Sequence, residues 1–186
     1  GEIACSGKGG PGAAEAIARR LVEMLDSPTG HVSSEAASSL TLMLRKEPSL
    51  KNWIAPPLVR SLKYVTEASG KAAVIYLLGE CGEIIPQAPY ALEKLIDGYD
   101  DLTDANVKNA LLTVTVKMFF MRPPEVQRML GRLLAKATAD LSSQDLHDRA
   151  LLYYRMLRSG GDNMHTLEAV VKTNTQVSSN FAEEAD

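Results

Sequence analysis

The chain has 186 residues, enough for one sizeable core or for several stacked helical repeats and too few for much else. Apolar residues make up 45% but aromatic ones only 5%, with many Leu and Ala and no strongly alternating run, so packed helices are expected rather than sheets. A net charge of −3 gives no overall attraction to nucleic acid or to an anionic membrane surface, and Cys5 and Cys81 lie too far apart to read as a metal-ligand pair or a disulfide framework, which fits a reducing compartment such as the cytosol.

No apolar run approaches the roughly 20 residues that a membrane-spanning helix needs. The opening GEIACSGKGG has no initiator Met and no basic-then-apolar order, and reads as the end of a helix already under way; a fragment of a longer protein is expected. A flexible loop, SGKGGPG, follows. Helices are then expected over 13–26, with Ile17, Leu21 and Leu25 inward, and over 32–46, with Ala36, Leu40, Met43 and Leu44 on one face and a stop before Pro48. The next helix is expected to start near Leu50 or after Pro56-Pro57, the Pro pair alternatively dividing it into a short piece and a longer one; Trp53, Leu58, Leu62 and Val65 are its apolar set and Gly70 its breaker. Three more follow over 71–82, 88–99 and 104–121.

Pro123 and Pro124 push the residue before them out of the helical region, so one helix stops near Arg122 and another begins, carrying Leu130, Leu133 and Leu134. Ser142-Ser-Gln-Asp145 has the form of a capping box for a further helix. On it Leu146, Ala150, Tyr153, Tyr154 and Leu157 share one face, Asp145 and Arg149 sit one turn apart in the stabilising order, and Gly160-Gly161 closes it. Beyond Val171 the sequence turns polar and acidic, and 172–186 is expected to be a frayed or disordered tail after a folded unit spanning 1–171.

The pattern recurs. Val32 to Pro48 and Val107 to Pro123 align at an offset of 75, Ala73 to Tyr76 and Ala150 to Tyr153 at 77, and Cys5 and Cys81 at 76. An offset near 76 spanning about four helices means two hairpins of roughly 38 residues each, close to the HEAT and armadillo range. Such hairpins bury their second face only against neighbours, so the expected fold is all-α, a right-handed superhelical solenoid of HEAT/armadillo-like hairpins.

Sites of chemistry are sparse. The loop around Lys8 lacks the spacing of a phosphate cradle, since Gly9 stands where Ser or Thr is needed and no strand precedes it. His31, His147 and His165 share no ligand spacing. His147 is expected to hydrogen-bond at the surface or between repeats. Asp145, Asp148 and Arg149 read as a helix-face ion pair with a neighbour, Cys5 and Cys81 as small core residues, and Met118-Phe-Phe-Met121 as inter-repeat core. No catalytic, cofactor-binding or metal-binding residue is assigned, no partner-binding residue is assigned either, and an enzyme is not expected.

Three blocks carry a resemblance: Gly79-Glu-Cys-Gly-Glu-Ile-Ile-Pro-Gln-Ala-Pro-Tyr90-Ala-Leu-Glu-Lys-Leu-Ile, Leu111-Leu-Thr-Val-Thr-Val-Lys-Met-Phe-Phe-Met-Arg-Pro-Pro-Glu-Val-Gln127, and Leu146-His-Asp-Arg-Ala-Leu-Leu-Tyr-Tyr-Arg155. Together they closely resemble the C-terminal part of the trunk of beta-adaptins, the large beta subunits of heterotetrameric clathrin-adaptor complexes. Gly131-Arg-Leu-Leu134 looks nearest to the beta subunit of the fourth complex. The resemblance implies a noncatalytic scaffold in vesicle-mediated protein transport, partnered by the medium (mu), small (sigma) and second large subunits. It implies peripheral association with trans-Golgi, endosomal or coated-vesicle membranes through the assembled complex, with no nucleic acid and no cofactor. It also implies that 172–186 begins the hinge. The tail carries no clathrin-box pattern, so clathrin binding by this stretch is not supported. The alternative is another HEAT/armadillo scaffold, such as a phosphatase regulatory subunit or a karyopherin-like transport receptor.

Overall fold

A computed structural model describes residues 11–177. Among them the chain forms α1 (Pro11–Met24), α2 (Gly30–Lys46), α3 (Lys51–Ile54), α4 (Leu58–Ser61), α5 (Ala68–Glu80), α6 (Ala88–Asp97), α7 (Ala105–Met121), α8 (Pro123–Ala139), α9 (Gln144–Ser159) and α10 (Asp162–Val177), and no strand. Short 3₁₀ turns, Pro48–Leu50 and Tyr99–Asp101, fill two of the connections.

Helix boundaries follow local chemistry. Asp104 caps α7, its carboxylate accepting from the backbone N–H groups of Asn106 and Val107 at 2.8 and 3.1 Å. Pro123 and Pro124 open α8, where their missing donors cost nothing. The cap of α9 is Ser143, which accepts from the Leu146 N–H at 3.4 Å; the box expected between Ser142 and Asp145 does not form, because with the cap one residue later the reciprocal position is Leu146, which has no polar group to return the bond. Ser142 instead donates its own N–H to Asp140 at 2.9 Å, which fixes the turn before α9. Gly160 and Gly161, at φ of 64° and 57°, make the reversal into α10 with backbone angles that other residues rarely adopt.

The repeat in sequence is a repeat in space. Shifting Gly30–Lys46 by 75 positions lands on Ala105–Met121, so α2 and α7 are equivalent along their whole length. Each ends on the same backbone break before proline: Glu47 at φ −139°, ψ 84° and Arg122 at φ −138°, ψ 62°. Helix α1 lies on α2 and α3, and one period later α6 lies on α7 and α8. A surface ion pair also recurs, Arg60 to Asp26 at 2.5 Å and Lys136 to Asp100 at 3.1 Å. These pairs are solvent-exposed and hold register more than they add stability.

Two rows result. One is formed by α2, α5, α7 and α9 in succession, and the other contains α1, α3 with α4, α6 and α8. This is an all-α solenoid of HEAT/armadillo-like hairpins. Between the rows sit Leu40, Leu77, Leu78, Leu92, Leu111, Leu133 and Tyr153, essentially without solvent contact. Each leucine contributes about 1.5–3 kcal/mol relative to an exposed position.

Several expectations shift. Pro56 and Pro57 leave two four-residue helices, α3 and α4, where one longer helix was expected at least on one side of them. Gly70 breaks nothing; it lies in the first turn of α5, pressed against Ser34 of α2. Ile17 is 55% exposed because Ala18 takes the inward place on α1. Trp53 and Tyr154 also face outward, under the guanidinium groups of Arg19 and Arg158 at 4.0 and 6.0 Å. Helix α10 carries the chain through Val177, so the polar stretch expected to fray from 172 begins inside a helix; 178–186 lie outside the described residues. By the period α10 is the counterpart of α6, yet it folds back onto α7 and α9.

Gly131 sits within α8 with nothing within 4 Å of the position a Cβ would take. Gly131→Ala is therefore expected to stabilise the chain by about 0.5–1 kcal/mol, the helix-interior penalty of glycine. Urea unfolding followed by circular dichroism measures it.

Candidate binding surface

The row of α2, α5, α7 and α9 presents a trough of about 490 Å³ that touches all four helices. Its floor is low because the residues there are small: Ala72 and Ala73 on α5, Ala110 on α7. Arg45 of α2 stands at one end, its guanidinium 5.4 Å from the Tyr76 ring centroid. Burial pushes the Tyr76 hydroxyl's pKa up, against the opposing pull of Arg45. At the other end Arg149 donates to Asp145 at 3.2 Å, and Asn109 donates its amide to the same carboxylate at 3.2 Å. The Asn109 side-chain carbonyl is buried and has no hydrogen-bond partner. The trough is thus lined by two guanidinium groups, one carboxylate, carboxamides and small apolar side chains, which suits recognition of polypeptide rather than covalent chemistry.

Behind it is a polar knot. Asp140, in the turn after α8, accepts from the Lys108 ammonium and the Tyr99 hydroxyl, both at 2.7 Å. The ammonium also lies 4.9 Å from the Tyr99 ring centroid and 3.4 Å from the Ser142 hydroxyl. The side chains of Lys108 and Asp140 are 9% and 11% exposed. Donation from Lys108, then from Ser142 and Tyr99, holds the Asp140 carboxyl well below the usual carboxylate range. Burial, reinforced by the bond to Asp140, raises Tyr99 far above the usual phenol value. The knot ties the turn after α6, helix α7 and the α8–α9 turn together across two hairpins, and its role is structural.

The residues singled out in the sequence are scattered. Asp145 and Arg149 form the expected ion pair and prove to line the trough, while Asp148 accepts from Gln144 at 2.8 Å on the outside of α9. His31 is exposed with its Nδ1 3.6 Å from Glu67, and His165 is exposed. The Nδ1 of His147 is buried without the hydrogen bond expected of it. Cys81 is buried, as expected of a core residue, and burial pushes its thiol up to about 11, leaving little thiolate at neutral pH. Cys5 and Lys8 lie outside the described residues. Met118 is fully buried, with Phe119, Phe120 and Met121 packed partly buried beside it. Among the described residues no group of three or more His, Cys, Asp or Glu side chains is gathered where a metal ion would fit.

Sequence reasoning missed Tyr99, Lys108 and Asp140, as well as Arg45, Asn109 and the trough. A lysine at Lys108, on a helix otherwise flanked by Val107, Leu111 and Leu112, was the available signal for a buried charge needing a partner.

Stacked hairpins in two rows define a helical-repeat solenoid. Residues 5–161 match the family described as the adaptin N terminal region, and the chain belongs to that family. It is 39% identical over 169 residues to beta-adaptin-like protein A of Arabidopsis thaliana, covering 90% of this chain and 20% of that protein. Over 144 residues, 77% of the chain, it is 32% identical to AP-1 complex subunit beta-1 of Rattus norvegicus and 33% identical to AP-4 complex subunit beta-1 of Mus musculus, covering 15% and 20% of those proteins. The chain therefore spans a fifth or less of the length of these relatives.

Proposed function

We propose that the chain is a stretch of a beta-adaptin trunk, a noncatalytic structural part of an adaptor-protein coat complex in vesicle-mediated intracellular protein transport. In this reading it scaffolds the medium subunit and the other large subunit for cargo sorting, with the small subunit completing the complex. The protein then works in the cytoplasm, held peripherally on trans-Golgi, endosomal or coated-vesicle membranes by the assembled complex. The observation that carries it is the family match over 5–161 together with relatives that are subunits of AP complexes.

We place the stretch in the C-terminal part of the trunk on the three sequence blocks, and 172–186 at the approach to a hinge. The fourth adaptor complex is the subfamily we favour, on Gly131-Arg-Leu-Leu134. The rat AP-1 and mouse AP-4 relatives are equally distant at 32% and 33%, so that motif is its sole support.

Affinity purification of the full-length protein tests the reading. Recovery of a medium subunit, a small subunit and a second large adaptin is expected. Recovery instead of a phosphatase catalytic subunit, or of a small GTPase with nuclear cargo, overturns it.

A further inference from the structure

We infer that Ser142 is a phosphorylation site for a serine kinase that selects acidic substrates, and that the phosphoryl group placed there draws Lys108 away from Asp140 and loosens the joint between two hairpins. This regulation goes beyond the scaffold role and does not depend on it. Three observations converge on the site.

The first is access. Residues 140–143 form the non-helical turn between α8 and α9, where Ser142 is exposed and its neighbour Leu141 is 83% exposed. The spacing of Ser142 and Asp145 has no capping duty to explain it, because Ser143 is the cap of α9. The second is the charge of the flanking chain. Residues 137–148 contain Asp140, Asp145 and Asp148 and neither Lys nor Arg. A kinase with a basic substrate groove therefore meets carboxylates on both sides of the hydroxyl, and Asp145 and Asp148 are exposed to it. The third stands behind the hydroxyl. The Lys108 ammonium, on a side chain only 9% exposed, lies 3.4 Å from the Ser142 hydroxyl oxygen and donates to Asp140 at 2.7 Å. Ser142 also donates its backbone N–H to Asp140 at 2.9 Å, so the hydroxyl, the carboxylate and the ammonium are held together.

The modification needs only a kinase and ATP. The Ser142 Oγ forms a bond to the γ-phosphorus, the bond from that phosphorus to the ADP oxygen breaks, and the hydroxyl proton passes to the kinase's carboxylate base. The product carries about −1.5 to −2 charge and three acceptor oxygens, on an atom already beside the ammonium. Two anions on one short turn then compete for a single buried cation, and the phosphoryl group has the larger charge. Asp140 loses Lys108 and is repelled. The Tyr99 hydroxyl, bonded to that carboxylate, is released with it, so the turn after α6 parts from the turn before α9.

The test uses the full-length protein. Incubation with a purified acidophilic serine kinase and magnesium ATP, read by peptide mass spectrometry, is expected to place a phosphoryl group on Ser142. Asp145→Asn should slow that incorporation about tenfold. No incorporation at Ser142, or incorporation that is indifferent to Asp145→Asn, overturns the site. Phosphoserine installed at Ser142 through an expanded genetic code tests the consequence by hydrogen exchange. Amides of 140–147 should exchange about tenfold faster than in the unmodified chain. In Asp140→Asn, which keeps an acceptor but removes the competing charge, the sign should reverse, because the phosphoryl group becomes the counter-charge of Lys108. Unchanged exchange in the native background, or acceleration in both backgrounds, overturns the inference.

Discussion

Asp140→Ala is expected to lower the stability of the chain by about 3–5 kcal/mol, because it leaves the Lys108 ammonium buried without its counter-charge. The Tyr99 hydroxyl loses its acceptor in the same step. Two features identify the cause. Adding Lys108→Met and Tyr99→Phe to the same chain should recover much of the loss, since an apolar set of similar volume no longer needs a carboxylate. The pH dependence supplies the second. Asp140 has a folded-state pKa depressed below its unfolded value of about 3.9, so its contribution is full above that value and is lost as pH falls through the folded one. The gap between native and Asp140→Ala chains should therefore be flat from pH 5 to 8 and close only in strong acid. Urea midpoints across that series measure it, and a gap that varies between pH 5 and 8 would assign the effect to some other group.

Gly70→Val is expected to destabilise by about 2–3 kcal/mol, the opposite sign from an ordinary glycine replacement in a helix. A Cβ there would stand 2.3 Å from the Ser34 hydroxyl and 2.6 Å from the Ser34 Cα. The hydroxyl can rotate aside, but the Cα belongs to the backbone of α2 and moves only if α2 and α5 separate. Gly82 makes a useful contrast. Its nearest neighbours are the sulfur and terminal methyl of Met118, at 2.8 and 2.7 Å, which belong to a flexible side chain. Gly82→Ala should therefore cost less than Gly70→Ala, and thermal melts of the two distinguish a rigid from a yielding neighbour.

The sequence exposes whatever is decided within one or two turns of chain. Pro48 and Pro123 stop α2 and α7, and the 75-residue echo between them predicts two helices that prove equal in length and ending. The period near 76 also places α1 and α6 in equivalent surroundings. What is decided across 30 residues or more stays hidden. Tyr99 and Asp140 are 41 positions apart and Lys108 and Asp140 are 32, so no local pattern joins them. The trough draws on four helices between Thr41 and Arg149, and of its lining residues local spacing pairs only Asp145 with Arg149. Helix α10 is faint in the sequence because, among its described side chains, Leu167 and Val171 are the deeply buried ones, too few apolar positions to stand out against the TNTQ that follows. Hydrophobicity predicts Trp53 and Ile17 inward, but it says what a side chain tolerates and not which way its helix is turned.

The matched breaks at Glu47 and Arg122 carry a consequence for how such a rod is made. A block whose central helix starts and stops at the same places after 75 positions, with α1 and α6 seated alike beside it, can be duplicated or deleted whole, and each new junction reuses an interface that already exists. Reach then becomes a matter of copy number, and substitutions are left free to tailor the grip of each block.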